Sequence, residues 1–205
     1  MFLFRKALTV GLLMVIALGH QALGAEPKPT GDATKAPAPP EVGKKAPDFS
    51  LQSVRGQTVK LSKLAEKSPV VLVVLRGYPG YQCPICSRQV GELLQNADEL
   101  AKAGAQVVLV YPGPSGRLKE RAEEFLADRT IPKHFHLVMD PDYTFTKAYG
   151  LRWDAPRETA YPSTFVIDRQ RIVRFARVSK THGGRTDPKT VLKAMAELPK
   201  STATR

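Results

Sequence analysis

The 205-residue chain has only two cysteines, Cys83 and Cys86. A structural zinc site needs about four ligands, usually from two Cys or His pairs. No second Cys pair exists. Past the first 24 residues the only histidines are His134, His136 and His182, at no metal-ligand spacing from the cysteines. No metal is therefore expected. Long apolar runs are also lacking. The N-terminal run from Ala7 to Leu18 falls short of the roughly 20 residues a membrane span needs. "PGPSG" (Pro112 to Gly116) has no Lys-Ser/Thr and reads as a turn rather than a phosphate-binding loop. No nucleotide, flavin or other cofactor is implied, and no internal repeat is visible. Acidic residues are scarce, 19 against 31 basic, for a net charge of +12. The basic residues are dispersed and form no nucleic-acid motif. The surplus reads as a solvated basic surface suited to acidic partners, not to nucleic acid.

What is present begins with a leader. Arg5 and Lys6 precede the apolar run, and Ala22 and Gly24 stand at −3 and −1 before Ala25. This pattern predicts a cleaved secretory signal over residues 1–24, with an uncleaved anchor as the alternative. No cysteine lies there, which excludes a lipid attached through sulfur. Without Arg5 and Lys6 the basic count falls to 29 against 19, leaving +10. The mature chain is expected to be periplasmic or secreted, with no stable membrane span, in a compartment where disulfides persist. Residues 25–41, "AEPKPTGDATKAPAPPE", contain no large apolar residue and predict a flexible tether. Residues 42–199 are long enough for one domain with its own core, and 200–205 form a tail.

Period and punctuation give a coarse fold. "VVLVVL" (Val70 to Leu75) reads as a strand buried on both faces. "QVVLVY" (Gln106 to Tyr111), "HLVMD" (His136 to Asp140), "STFVID" (Ser163 to Asp168) and "RIVRFARV" (Arg171 to Val178) complete the set. Helical periodicity runs from Pro84 to Ala103, with Gly104 as stop, and from Arg117 to Asp128, with Ser115 as cap candidate. Asp140-Pro141 opens a short helix ending at Gly150, and Asp187-Pro188 opens the last one. The order β-α-β-α-β-α-β-β-α predicts an α/β sandwich, parallel at first and closing on an antiparallel hairpin.

Both cysteines sit in "RGYPGYQCPIC" (Arg76 to Cys86), where the first strand gives way to a helix. Pro84 suits the first helical position, which puts Cys83 at the helix N-terminus. Unpaired N–H groups there lower a thiol pKa from about 8.5 into roughly the 3.5–7.5 range. Cys86 follows at i+3 on the same side. As a staple, a four-residue loop would contribute little. An inert pair and a zinc site are the other bland readings. A redox-active dithiol explains the placement best.

"VGKKAPDFSLQSVRGQTVKLSKL" (Val42 to Leu64), "VVLVVLRGYPGYQCPIC", "MDPDYTFTKAYGL" and "YPSTFVIDRQRIVRFARV" together resemble the alkyl hydroperoxide reductase/thiol-specific antioxidant family, the peroxiredoxins. The likeness spans about Val42 to Leu198. It implies a thioredoxin-like fold, a central mixed β-sheet flanked by helices, with a Gly-containing hairpin before the first buried strand. In that family a Pro, a Thr or Ser four residues on and a peroxidatic Cys three further form the site. Pro79, Cys83 and Cys86 occupy those places here, so the resemblance makes Cys86 the peroxide-attacking sulfur. The thioredoxin pattern instead makes Cys83 the nucleophile and Cys86 the resolving residue. The family's Arg before the "TFVID" strand is replaced by Pro162. That position matches the cis-proline of thioredoxin-like oxidoreductases, with Tyr161 presenting backbone to a bound thiol. Arg76 or Arg157 is then the candidate replacement cation. His182 and Arg185 in "THGGRTDP" are candidates for a substrate mouth, although a glycine turn explains them as well. Trp153 reads as a packed aromatic.

The expected function is an exported antioxidant thiol oxidoreductase. It would cycle its Cys-x-x-Cys to reduce peroxides or exchange protein disulfides, and be reset by a redox partner protein or a small thiol. The alternative is a non-catalytic envelope protein with a thioredoxin-like binding surface.

Overall fold

A computed structural model describes residues 37–127 and 129–199. The expected signal, most of the tether and the tail lie outside the described residues. Two short antiparallel strands, β1 (Ser50–Gln52) and β2 (Thr58–Lys60), and helix α1 (Leu61–Ala65) come first. They are followed by β3 (Val70–Val74), α2 (Pro84–Gln95), α3 (Ala97–Lys102), β4 (Gln106–Gly113), α4 (Leu118–Leu126), β5 (Phe135–Pro141) and α5 (Thr144–Ala148). The chain closes with β6 (Ser163–Ile167), β7 (Val173–Val178) and α6 (Pro188–Ala196). The main sheet runs β5-β4-β3-β6-β7. β3, β4 and β5 are mutually parallel, while β6 and β7 are antiparallel additions. This is the α/β architecture the sequence predicts.

Strand geometry sends successive side chains to opposite faces. Val71, Val73 and Leu75 pack toward Val90, Leu93, Leu100, Phe125 and Val191. Val70, Leu72 and Val74 pack toward Phe49, Leu61, Phe145 and Tyr149. A strand covered twice must be apolar throughout, which is why "VVLVV" shows no alternation.

Several boundaries differ from expectation. Asp140-Pro141 closes β5 instead of opening the short helix, which starts at Thr144, and β7 starts at Val173 rather than Arg171. The helix predicted from Pro84 to Ala103 breaks at Asn96, whose Nδ2 donates to the Glu92 carbonyl at 2.8 Å. An Asn side chain that bonds to backbone competes with the helical ladder at that point. Ser115 does not cap α4 through its hydroxyl. Its carbonyl accepts from Leu118 N–H, its N–H donates to Asp142, and Arg117 at φ 61° holds the N-cap position. Among the described residues no helix is long and apolar enough to cross a membrane.

Candidate active site

The site lies where β3 hands over to α2. Gly77 turns the chain at φ +72°, and a Cβ there would fall 1.9 Å from the Pro112 carbonyl oxygen. Only glycine lets this backbone press against β4, where Tyr78 N–H donates to Pro112 O at 3.0 Å. The loop continues through half-buried Pro79 to Gln82, which is braced from two sides. Tyr111 donates its hydroxyl proton to Gln82 Oε1 at 2.8 Å, and Gln82 Nε2 donates to the Arg121 carbonyl at 2.9 Å.

Cys83 occupies the N-cap of α2 and Pro84 the first helical position, as predicted. Cys83 Sγ accepts from Cys86 N–H at 3.3 Å, a capping bond that uses sulfur where most helices use oxygen. Both residues are free thiols, 3% and 0% exposed. Their environments push them apart. A hydrogen bond from the Cys86 side chain holds Cys83 down at about 6. Burial opposes that shift, and the Cys86 N–H, Arg185 and Arg76 reinforce it. Burial raises the Cys86 thiol well above its ordinary value, as does its bond to Cys83. The arrangement favours the thiolate at Cys83 and the thiol at Cys86.

The cation at the sulfurs is Arg185. Its Nη2 stands 3.4 Å from Cys86 Sγ and 3.8 Å from Cys83 Sγ. Nη1 donates to buried Gln89 at 2.8 Å, and Nε to the His182 carbonyl at 3.1 Å. Arg76 and Arg157, the candidates from sequence, are placed otherwise. Arg76 is 4% exposed and forks onto Glu158, Nε to Oε2 at 2.7 Å and Nη2 to Oε1 at 3.1 Å. It also donates to Tyr81 Oη at 2.6 Å and to the Arg157 carbonyl at 2.9 Å. It reaches the thiolate only as a nearby charge. Arg157 contributes that carbonyl.

Glu158, unremarked in the sequence, joins the two arginines. Burial alone would raise its carboxyl, but bonds from Arg76 and His182 outweigh that and hold it below the usual range. His182 Nε2 lies 2.8 Å from Glu158 Oε1, and the His182 carbonyl holds Arg185. Trp153 packs beside His182 at 5.1 Å and stacks on Tyr161 at 4.9 Å, so it is a packed aromatic behind the loop.

The expected cis bond is absent, since Tyr161–Pro162 is trans. Pro162 stands immediately before β6, where its missing N–H costs no ladder bond, and its carbonyl accepts from Ser179 N–H at 2.9 Å. Tyr161 N–H donates to Leu151 O, and its ring carries Lys180 at 4.4 Å. Among the described residues no hydrogen bond joins Tyr161 or Pro162 to either sulfur. The fold thus brings together Cys83, Cys86 and Arg185, with Arg76 one residue removed.

Residues 42–176 match the AhpC/TSA family profile. The chain is similar to Peroxiredoxin Bcp of Bacillus subtilis (strain 168), 27% identical over 164 residues, 77% of this chain and 98% of that protein. It is similar also to chloroplastic Peroxiredoxin Q of Oryza sativa subsp. japonica, 28% identical over 165 residues, 80% of this chain and 71% of that one. Among solved structures, Peroxidoxin BcpB from Mycobacterium tuberculosis aligns with a TM-score of 0.60 at 23% identity, covering 78% of this chain and 99% of that one. That likeness establishes a common fold.

Proposed function

Because the chain belongs to the AhpC/TSA family, we propose that it is a thiol-dependent peroxidase in which Cys83 attacks and Cys86 resolves. The observation that carries this reading is the place of Cys83 at the N-cap of α2, where its Sγ accepts the Cys86 N–H at 3.3 Å and Arg185 Nη2 stands 3.8 Å away, an arrangement that lowers the Cys83 thiol while burial raises Cys86. The thiolate is the nucleophile, and an optimal attacking thiol titrates near ambient pH. The Cys83 thiolate attacks the terminal oxygen of a hydroperoxide, the O–O bond breaks, and the leaving alkoxide or hydroxide takes up a proton. Cys83 is then a sulfenic acid. The Cys86 sulfur displaces its hydroxyl as water and closes the disulfide. An external thiol must return two electrons. Arg185, within reach of both sulfurs, stabilises the starting thiolate and polarises the peroxide.

Single variants test the assignment. Cys83→Ser is expected to abolish peroxide consumption. Cys86→Ser should keep one turnover and leave a trappable sulfenic acid. The second reading, favoured by the shorter distance from Arg185 to Cys86 Sγ, makes Cys86 the peroxidatic residue and predicts the reverse. A model-disulfide assay on the same variants measures any disulfide exchange. Free thiols counted before and after mild reductant separate all these from a binding-only role, in which the pair never cycles.

The N-terminal pattern supports placing this reaction in the periplasm or outside the cell. N-terminal sequencing of the mature protein tests that: a chain beginning at Ala25 is expected, and one beginning at Met1 refutes it.

A further inference from the structure

Beside the cysteines a cleft of about 350 Å³ opens between α2 and the segment leading into α6. Arg88, Gln89 and Glu92 line one side, and Gly184, Arg185, Thr186 and Asp187 the other, the Asp187 carboxylate being engaged by the Thr190 N–H and hydroxyl. Its volume falls within the roughly 300–1,000 Å³ of small-molecule sites. Arg185 lines the cleft and also touches both sulfurs, so one side chain separates the cleft from the reacting atoms. Thr186 is 4% exposed, yet its hydroxyl has no hydrogen-bond partner. A buried polar group left unpaired beside a cavity marks room for a ligand atom. Arg88 is exposed and only loosely paired, its Nε 3.9 Å from Glu92.

The charge balance changes with redox state. In the dithiol form Arg185 faces the Cys83 thiolate. Closing the disulfide removes that charge and leaves the half-buried guanidinium with neutral acceptors only, the His182 carbonyl and Gln89 Oε1. A desolvated cation without a counter-charge is costly, and a carboxylate in the cleft would restore a charge-assisted bond. The burial of both sulfurs also favours a small reductant over a bulky one.

We propose that this cleft is the docking site of the reductant, a small thiol carrying a carboxylate, held by Arg185 and Arg88 when the cysteines are joined. The inference rests on the dithiol–disulfide cycle proposed above. The thiolate RS⁻ attacks Cys86 Sγ, the sulfur nearer Arg185, and expels Cys83, whose low pKa makes it the better leaving thiolate. A second RS⁻ attacks the bound reductant's sulfur, releasing RSSR and the Cys86 thiolate, which takes up a proton. Two thiols are oxidised to one disulfide, and the protein gains two electrons.

The test uses the full chain oxidised with diamide and two probe thiols, 3-mercaptopropionate and 2-mercaptoethanol, with rates expressed per thiolate. One charge-assisted hydrogen bond predicts an advantage of about tenfold or more for the acidic thiol. Arg88→Gln should shrink that advantage, Glu92→Gln should enlarge it, and Lys63→Gln on α1, against the other face of the sheet, should leave it unchanged. Equal rates for the two thiols overturn the proposal. So does an advantage that Arg88→Gln leaves intact or Lys63→Gln reduces equally, since general attraction to a basic protein then explains it. If dithiothreitol restores the thiols but the probes are equal, only the cleft assignment falls. If dithiothreitol also fails, the cycle itself falls and takes the cleft with it.

Discussion

The two faces of the central sheet solve different problems with the same strands. The face carrying Val70, Leu72 and Val74 is closed by an aromatic cluster. Phe49 meets Phe145 edge-on at 5.2 Å, and Phe145 stacks on Tyr149 at 4.2 Å. Its buried polar groups are satisfied locally: the Tyr149 hydroxyl donates to the Pro47 carbonyl, and the Asp140 carboxylate accepts from the Phe145 and Thr146 N–H groups. The opposite face begins the same way, with Val71, Val73 and Leu75, but near the end of β3 it turns to Cys83, Cys86, Gln89 and Tyr111, with Arg76 next in the chain. Every one of these polar groups is buried and must be partnered, because an unpaired one costs roughly 1–3 kcal/mol. One face is packed for stability alone. The other gives up apolar packing to hold a thiolate in a low-dielectric setting.

The largest effect that separates the faces should come from Phe145→Ala. Removing a buried aromatic ring is expected to cost about 3–5 kcal/mol of unfolding free energy, read by urea denaturation. The Cys83 titration in the same variant should stay where it is. A shifted thiol would show that the faces are coupled through the sheet.

Next is the pH dependence of the reduced protein. Cys83 titrates at about 6 when folded and near 8.5 when unfolded. Between those values the unfolded chain binds the extra proton, so stability rises with pH. The contribution is complete above about 8.5 and is lost as pH falls through 6. At about 1.4 kcal/mol per unit it amounts to a few kcal/mol at most. In the lower part of that window the raised Cys86 thiol does not contribute, because it is protonated in both states; toward about 8.5 its unfolded form begins to ionise first and opposes the rise. Urea curves of the reduced protein should show the slope, and Cys83→Ser and the disulfide form should not. A slope common to all three would assign it to other groups.

These contrasts also explain what was legible in sequence. β3 could be read because burial on both faces forces an unbroken β-branched run, and the Cys83 cap because Pro84 fixes the helix start within four residues. Asp187-Pro188 announced α6 in the same local way, and Asp187 caps it through Thr190 N–H at 2.8 Å. The break at Asn96 escaped because the apolar stripe continues through it and α3 packs on the same core. Arg185 was a candidate for a substrate mouth, but its place at the sulfurs escaped for a different reason. It meets Cys86 across 99 residues, brought there by the path from β7 over α2, and no spacing rule spans that distance. "THGGR" pointed to the right segment, but its glycines equally describe a plain turn. Glu158 had no local signal at all. The Pro162 expectation transferred a position from thioredoxin-like proteins together with a peptide isomer, and only the position applied.

Arg185 itself gives the next largest effect. Arg185→Met should raise the Cys83 pKa from about 6 by one to two units, since an opposite charge at this range moves a pKa by about 1–3. Thiolate absorbance near 240 nm against pH measures it. Unfolding free energy should change far less than in Phe145→Ala. An unmoved titration would mean that the Cys86 hydrogen bonds alone hold the thiolate.

The smallest effect is the most discriminating because its sign is in question. Glu158 carries a negative charge near the thiolate and simultaneously ties Arg76 to the loop that delivers Arg185, through His182. If charge alone mattered, Glu158→Gln would remove repulsion, leave Arg76 uncompensated, and lower the Cys83 pKa. If Glu158 acts by position, the variant weakens the His182 anchor, Arg185 leaves the sulfurs, and the pKa rises. The second outcome is expected, because a guanidinium 3.4–3.8 Å from sulfur outweighs a more distant carboxylate already neutralised by Arg76. The rise should be smaller than in Arg185→Met, and absent when Glu158→Gln is added to Arg185→Met. A fall in pKa, or a rise that persists in the double variant, would remove the anchor and leave Glu158 as the structural counter-ion of Arg76.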